Sequence, residues 1–285
     1  MTRTRDIWAH RAAKELRTDK LDRLQTHLTD KSQKTRLPIE PIYFPDEMPD
    51  QEYIALFTDH RCVLREIFTS GQNEDLLTAL QGGLSQITVD ATGSALTDLL
   101  QGVELAWIKA DIVRGAHRTA LSEISQDGKI TFGEAQSLIL SLDASAPVDC
   151  IRSVAQHIID HPAQPLVVQL SAHSRQIEYI SLLRALRMQL SHHSDATLEC
   201  HLSLIGSDLG AISIAATCEM LAAVLGGADY VVIDHRDDAM NPAHYHTLRQ
   251  TYHLLMEESK LKSVTDPGCG SYQIETMTTK LLSQI

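Results

Sequence analysis

The chain has 285 residues, 43% of them hydrophobic, enough for one core of barrel size but not for a second large domain, because α/β barrels run to about 250 residues. A formal net charge of −12 opposes nucleic acid and anionic membrane surfaces. No apolar run covers the ~18–20 residues of a membrane helix, and the polar start Met1–Asp6 lacks the apolar core of a secretory signal. A cytoplasmic protein is expected, with neither a nucleic-acid nor a membrane partner. Five scattered cysteines, at 62, 150, 200, 218 and 269, contain no C-x-x-C pair and read as free thiols rather than a disulfide framework or zinc site.

In chain order, apolar residues at three- and four-residue steps (Ile7, Trp8, Ala12, Leu16, Leu21, Leu24, Leu28) predict an amphipathic helix over 6–31. Residues 36–49 then carry Pro38, Pro41, Pro45 and Pro49, which withhold donors and extend the residues before them, so a surface strap is expected. From Cys62 onward strands and helices alternate. The predicted strands are 62–68, 84–89, 107–113, 137–143, 165–172, 196–205 and 230–233; the predicted helices are 73–81, 95–100, 148–159, 175–189, 209–225 and 249–258. Residues 114–136 show no clear period. The alternation predicts parallel strands with right-handed crossovers. The fold class is therefore α/β, a TIM-type parallel (β/α) barrel, complete or degenerate, over 59–285, with an N-terminal helical arm and extended strap over 1–58.

Alternation along strands predicts what lines the barrel. Leu198, Cys200, Leu202 and Leu204 share one face, leaving Glu199, His201 and Ser203 on the other. Ser141 beside Ile139, and Gln169 and Ser171 beside Val167, follow the same pattern. Leucines belong under the helices, so Ser141, Gln169, Ser171, Glu199, His201 and Ser203 are expected in the lumen, as ligand-binding groups or satisfying one another around buried waters. Glu199 and His201 are the weak catalytic candidates, because a carboxylate can orient an imidazole. Alternate positions lie roughly 6–7 Å apart, beyond direct contact unless both side chains lean. His235, His244 and His246 flank Asp237–Pro242, a spacing that leaves a metal site open without requiring one. Gly268, Gly270 and Ser271 could offer donors to a phosphate or close a tight turn.

Three ordered motifs carry a resemblance. A helix ends at Leu225-Gly226-Gly227, a strand leads to Asp237-Asp238-Ala239, and then comes Asp266-Pro267 with Gly270-Ser271-Tyr272, Glu275, Met277 and Thr278. With the helix 249–258 and the run Leu182–Arg187, these resemble the barrel of the adenosylcobalamin-dependent methylmalonyl-CoA mutase family. Its chains carry L-G-G, D-E-A and D-P-x-x-G-S-Y-x-x-E-x-L-T; Met277 stands in place of the Leu. The segment 62–68 resembles the family's first barrel strand, and the arm with its Pro41-Ile42-Tyr43 strap is similar to the start of the small, non-catalytic subunits.

The resemblance implies a structural role for Gly226, Gly227, Asp266, Pro267, Gly270, Ser271, Tyr272 and Glu275, and a lumen through which acyl-CoA esters pass. Catalytic chains hold cobalamin through D-x-H-x-x-G, which this sequence lacks. Asp234-His235 does not have that spacing, and no metal ligand or cobalamin-binding domain is assigned to this chain. Where the family has Y-H-x-x-E-A-G-A, Ser141–Pro147 holds neither Tyr nor His. His201 matches the family's strand histidine but its neighbours do not match. The expectation is a truncated small-subunit-like protein, a catalytically silent partner of a mutase chain in a heterodimer, or self-associating, with adenosylcobalamin reached only through that partner. An active isomerase component using cobalamin on a separate protein, and an acyl-CoA-binding module, are the alternatives.

Overall fold

A computed structural model describes residues 4–17, 26–29, 36–39, 43, 62–91, 93–104, 108–112, 130–132, 138–173, 175–193, 195–204, 208–235, 240–263 and 266–285. At the N-terminus, α1 covers Thr4–Leu16, and β1 (Thr26–Thr29) pairs antiparallel with β2 (Arg36–Ile39). The single helix expected over 6–31 is therefore corrected. It stops where Arg17 takes φ 51°, and the threonine-flanked segment beyond it gains a ladder partner that a lone exposed helix would not supply. Pro38 sits in a two-stranded ribbon, where a missing donor is tolerated. Of the strap beyond Ile39, Tyr43 is described and is buried, with the Lys280 ammonium 5.5 Å from its ring centroid.

Eight parallel strands follow: β3 (Val63–Thr69), β4 (Gln86–Asp90), β5 (Lys109–Ile112), β6 (Ile130–Phe132), β7 (Leu138–Asp143), β8 (Leu166–Ser171), β9 (Ala196–His201) and β10 (Tyr230–Asp234). Their spatial order is β6-β5-β4-β3-β10-β9-β8-β7. The first strand of the series thus pairs with the last, Val63 opposite Tyr230, while every other neighbour is consecutive in sequence. That is the TIM-type order. The strand β6 falls in the region the periodicity left blank. Residues 133–137, between it and β7, lie outside the described residues, and β6 and β7 form the two edges of the sheet. The motif Asp237-Asp238-Ala239, the strap residues 44–58 and the region 113–129 lie outside the described residues.

The helices are α2 (Asn73–Gln81), α3 (Ser94–Leu99), α4 (Pro147–Asp160), α5 (Gln176–Leu190), α6 (Leu209–Gly226), α7 (Pro242–His253) and α8 (Tyr272–Leu282). Local chemistry fixes their ends. Pro147 opens α4, the Asp208 side chain accepts from Ala211 N at the start of α6, and Asn241 with Pro242 opens α7. Helix α6 closes on Gly227 at φ 81°, left-handed backbone that glycine adopts without cost. A one-turn π-helix, Leu254–Glu258, prolongs α7.

The core lies between sheet and helices: Leu64, Phe68, Ile87, Val89, Val168, Leu170, Leu198, Cys200, Val231 and Ile233 belong to it, together with Tyr179, Leu182, Leu183 and Leu186 of α5. The expected division of faces holds. By length and composition α6 would also suit a membrane span, which corrects the reading that no stretch is long and apolar enough. Here it packs between α5 and α7 on the barrel wall.

Candidate functional site

Side chains pointing away from the helical layer converge in the lumen. Ser141, Gln169, Glu199 and Tyr230 occupy one level of four neighbouring strands, and Ser171 and His201 the next. Ser141 Oγ donates to Gln169 Oε1 (3.1 Å), Gln169 Nε2 to Glu199 Oε2 (3.1 Å), and His201 Nε2 to the same oxygen (3.2 Å). From the opposite flank Arg65 Nη1 donates to Glu199 Oε1 at 2.5 Å, its guanidinium carbon 3.5 Å from the Tyr230 ring centroid. The expectation that Glu199 and His201 stand beyond contact is overturned, because both side chains lean toward each other.

Glu199 is 5% exposed. Burial pushes its carboxyl up, but the His201 hydrogen bond, the Arg65 charge and the Gln169 amide outweigh that and hold it below the usual carboxylate range. The buried glutamate is therefore ionised at neutral pH. Thr88, on the same face of β4, is buried, and its Oγ1 has no hydrogen-bond partner among the described residues. Asp90, Asp143 and Asp234 end β4, β7 and β10.

Two predicted lumen residues behave differently. Strand β9 ends at His201 rather than at 205, Leu204 has φ 46°, and alternation lapses. Ser203 accordingly turns to α6, where its Oγ makes a very short hydrogen bond to Glu219 Oε1 and its amide donates to Oε2 at 3.0 Å. Burial raises the Glu219 carboxyl, partly offset by these Ser203 bonds. Ser171 keeps its lumen position but bonds the end of β7, donating to Leu142 O and accepting from Ala144 N, both at 3.4 Å.

The motif residues meet beneath α5. Arg184 Nη1 reaches Asp266 Oδ1 at 2.7 Å and Nη2 reaches Glu275 Oε1 at 3.1 Å. The amides of Gly268 and Gly270 donate to Asp266 Oδ1 (3.2 Å) and Glu275 Oε1 (3.3 Å), so this turn spends two amide donors on its own carboxylates. A β-carbon on Gly268 would lie 2.7 Å from Leu225 O, and one on Gly226 2.5 Å from Leu183 Cβ. Arg187 donates to Gly227 O from Nε (2.9 Å) and Nη2 (2.7 Å) and lies 2.6 Å from Asp229. Pro267 follows Asp266 in the turn, and Ser271 precedes Tyr272, the first residue of α8.

Of the histidines once open to metal binding, His235 is 2% exposed and stacked between Phe68 (4.4 Å) and Tyr245 (3.7 Å), with Nε2 2.5 Å from Glu66 Oε2. The same oxygen accepts from Arg249 at 2.9 Å. Among the described residues no cluster of three or more His, Cys, Asp or Glu could hold a metal ion.

Sequence reasoning missed Arg65, Tyr230 and Glu219 as partners of the predicted set. Period-two spacing from Val63 does place Arg65 on the inner face of β3, a signal that was available; Glu219 sits on an apolar helix and meets Ser203 only through folding.

A parallel sheet ordered first strand against last, with β6 and β7 at its two edges among the described residues and a charged, hydrogen-bonded inner face, defines an α/β protein of the TIM type, degenerate at the β6–β7 seam. Residues 159–285 match the family model for methylmalonyl-CoA mutase, the family that the motifs of this segment resemble. No curated protein matches the chain. The family depends on adenosylcobalamin, but neither His235 nor His201 fits a cobalt-ligating role. His235 is enclosed by Glu66, Phe68 and Tyr245, and His201 Nε2 is engaged by Glu199.

Proposed function

We propose that this chain is a structural, catalytically silent partner of a cobalamin-dependent acyl-CoA mutase chain, comparable to a small subunit, with residues 1–58 as arm and strap and 59–285 as the barrel. The observation that carries this reading is that the polar side chains around Glu199 bond one another. Arg65, Gln169 and His201 all converge on Glu199, and Ser203 is spent on Glu219, so groups that would orient a thioester are committed to one another. The buried Tyr43 beside Lys280 of α8 supports a strap that uses the barrel wall as its seat.

Co-expression with a mutase catalytic chain tests it. A stoichiometric complex is expected, in which acyl-CoA turnover follows the catalytic chain's own residues and is indifferent to His201→Ala in this one. Turnover of an acyl-CoA by this chain with adenosylcobalamin alone would overturn the reading, as would failure to form the complex.

A further inference from the structure

We propose that the outer face of α6 pairs with the same face of a second copy of this chain. The helix is inverted relative to a solvated one: its one acidic or basic residue, Glu219, is 5% exposed and turned to Ser203, while Ile214 is 70% exposed. Ala211, Ile214 and Cys218 are exposed, and Ala215, Leu221 and Leu225 half-buried. At three- and four-residue steps these six form a single stripe along the helix. The hydroxyls of Ser213 and Thr217 donate back to Leu209 O (2.7 Å) and Ser213 O (2.6 Å), so their donors are spent within the helix. An apolar stripe without charge marks a contact surface rather than a solvated wall.

Charge and spacing select the occupant. With a net charge of −12, two copies repel wherever acidic surfaces meet, and this stripe has no charge to repel. The flanking α7 adds none, since its outward Ala243, His246 and Gln250 carry no carboxylate or ammonium and its Arg249 is 2% exposed. Cys218 lies at the middle of α6. A two-fold axis there sets each residue against the one equally far beyond Cys218 in the second copy. Ala211 and Leu225 are each seven residues from it, Ala215 and Leu221 each three. An antiparallel pair therefore brings small against large at both levels, the way facing helices interdigitate, and Cys218 against its own counterpart. One helix on one helix is a small interface of the weak, reversible class, so the chain is single when dilute. The inference goes beyond the partner reading and is tested on the chain alone, so its failure leaves that reading standing.

Sedimentation of the purified chain from micromolar to millimolar concentration should show a reversible monomer–dimer equilibrium, and Cys218 should label rapidly in the dilute chain and more slowly as it pairs. Ile214→Glu sets a charge into the stripe at an exposed position and should weaken the pair at least about tenfold. Ala215→Leu should weaken it likewise, by setting Leu against Leu221 of the second copy, and adding Leu221→Ala in the same chain should restore it by exchanging small for large. Mild oxidation with copper phenanthroline should link the concentrated chain through Cys218, which Cys218→Ser abolishes and Cys269→Ser does not. A chain that stays monomeric throughout, an Ile214→Glu variant that pairs like the native chain, a double variant no tighter than Ala215→Leu, or linkage through Cys269 would overturn the proposal.

Discussion

Arg184 and Asp266, 82 residues apart, meet at 2.7 Å with side chains 1% and 2% exposed. Through this pair and Glu275, helix α5 holds the turn from which α8 departs. The motifs Asp266-Pro267 and Gly270-Ser271-Tyr272 are therefore counterparts of the Leu182–Arg187 run rather than a separate ligand loop.

Arg184→Ala should destabilise the chain by about 3–5 kcal/mol, because it leaves two carboxylates facing an emptied, buried position. Arg184→Lys recovers little, since an ammonium cannot span both acceptors as a guanidinium fork does. Urea denaturation midpoints of the two variants provide the measurement, and a loss within ~0.5 kcal/mol would remove this pair from the clamp.

Gly226→Ala drives a methyl into Leu183 at 2.5 Å and should cost about 1–3 kcal/mol of overpacking. Leu183→Ala in the same chain should relieve part of that cost, so the pair will be non-additive in a double-mutant cycle. Gly227→Ala strains a backbone at φ 81° and should cost about 1–2 kcal/mol, with no relief from Leu183→Ala.

Acid stability should depend on Glu199. Its folded pKa lies below the ordinary value, so it contributes stability that is present above the unfolded pKa, about 4.3, and lost as pH falls through the lower folded value. Glu199→Gln should flatten that acid limb. Glu219 has the opposite sign: its raised pKa favours folding while it is protonated and penalises it as pH rises past the folded value. Glu219→Gln should therefore be more favourable relative to the native chain at pH 8 than at pH 4, as read from Tm across the range.

Thiol labelling at pH 8 should separate the cysteines. Cys218 is exposed and Cys269 half-buried, while Cys62, Cys150 and Cys200 are buried. Burial, in spite of the Tyr179 hydrogen bond, pushes Cys200 up to about 12, and burial with the neighbouring Cys200 and Asp229 charges raises Cys62 well above its ordinary value. Thiolate is the reacting form, so a native-state titration should show Cys218 reacting fast and Cys269 slowly, with the other three reacting only after denaturation. Rapid labelling of Cys200 in the folded chain would contradict the placement of β9.

Legibility followed the range of the forces. The parallel alternation, the helix stops at Gly226-Gly227 and the inward set Ser141, Gln169, Glu199 and His201 were readable because period-two and period-3.6 patterns are local and repeated across many residues. The same method overran the N-terminal helix, which ends at Leu16, since what replaces it is a ladder between β1 and β2 that no single segment announces. It also carried β9 four residues too far, to 205 instead of His201, and with it placed Ser203 in the lumen.

By itself, then, the sequence determined the parallel α/β alternation, the family resemblance of residues 159–285 and which strand faces are polar, because each is written in near-neighbour spacing. Only the tertiary structure decided what those polar groups do. Arg65 finds Glu199 across 134 residues, Ser203 finds Glu219 on a different element, and Arg184 finds Asp266 and Glu275. The energy of a buried charge depends on which partner stands within about 3 Å, and that distance is set by how elements distant in sequence pack, for Arg65 by the pairing of β3 with β10.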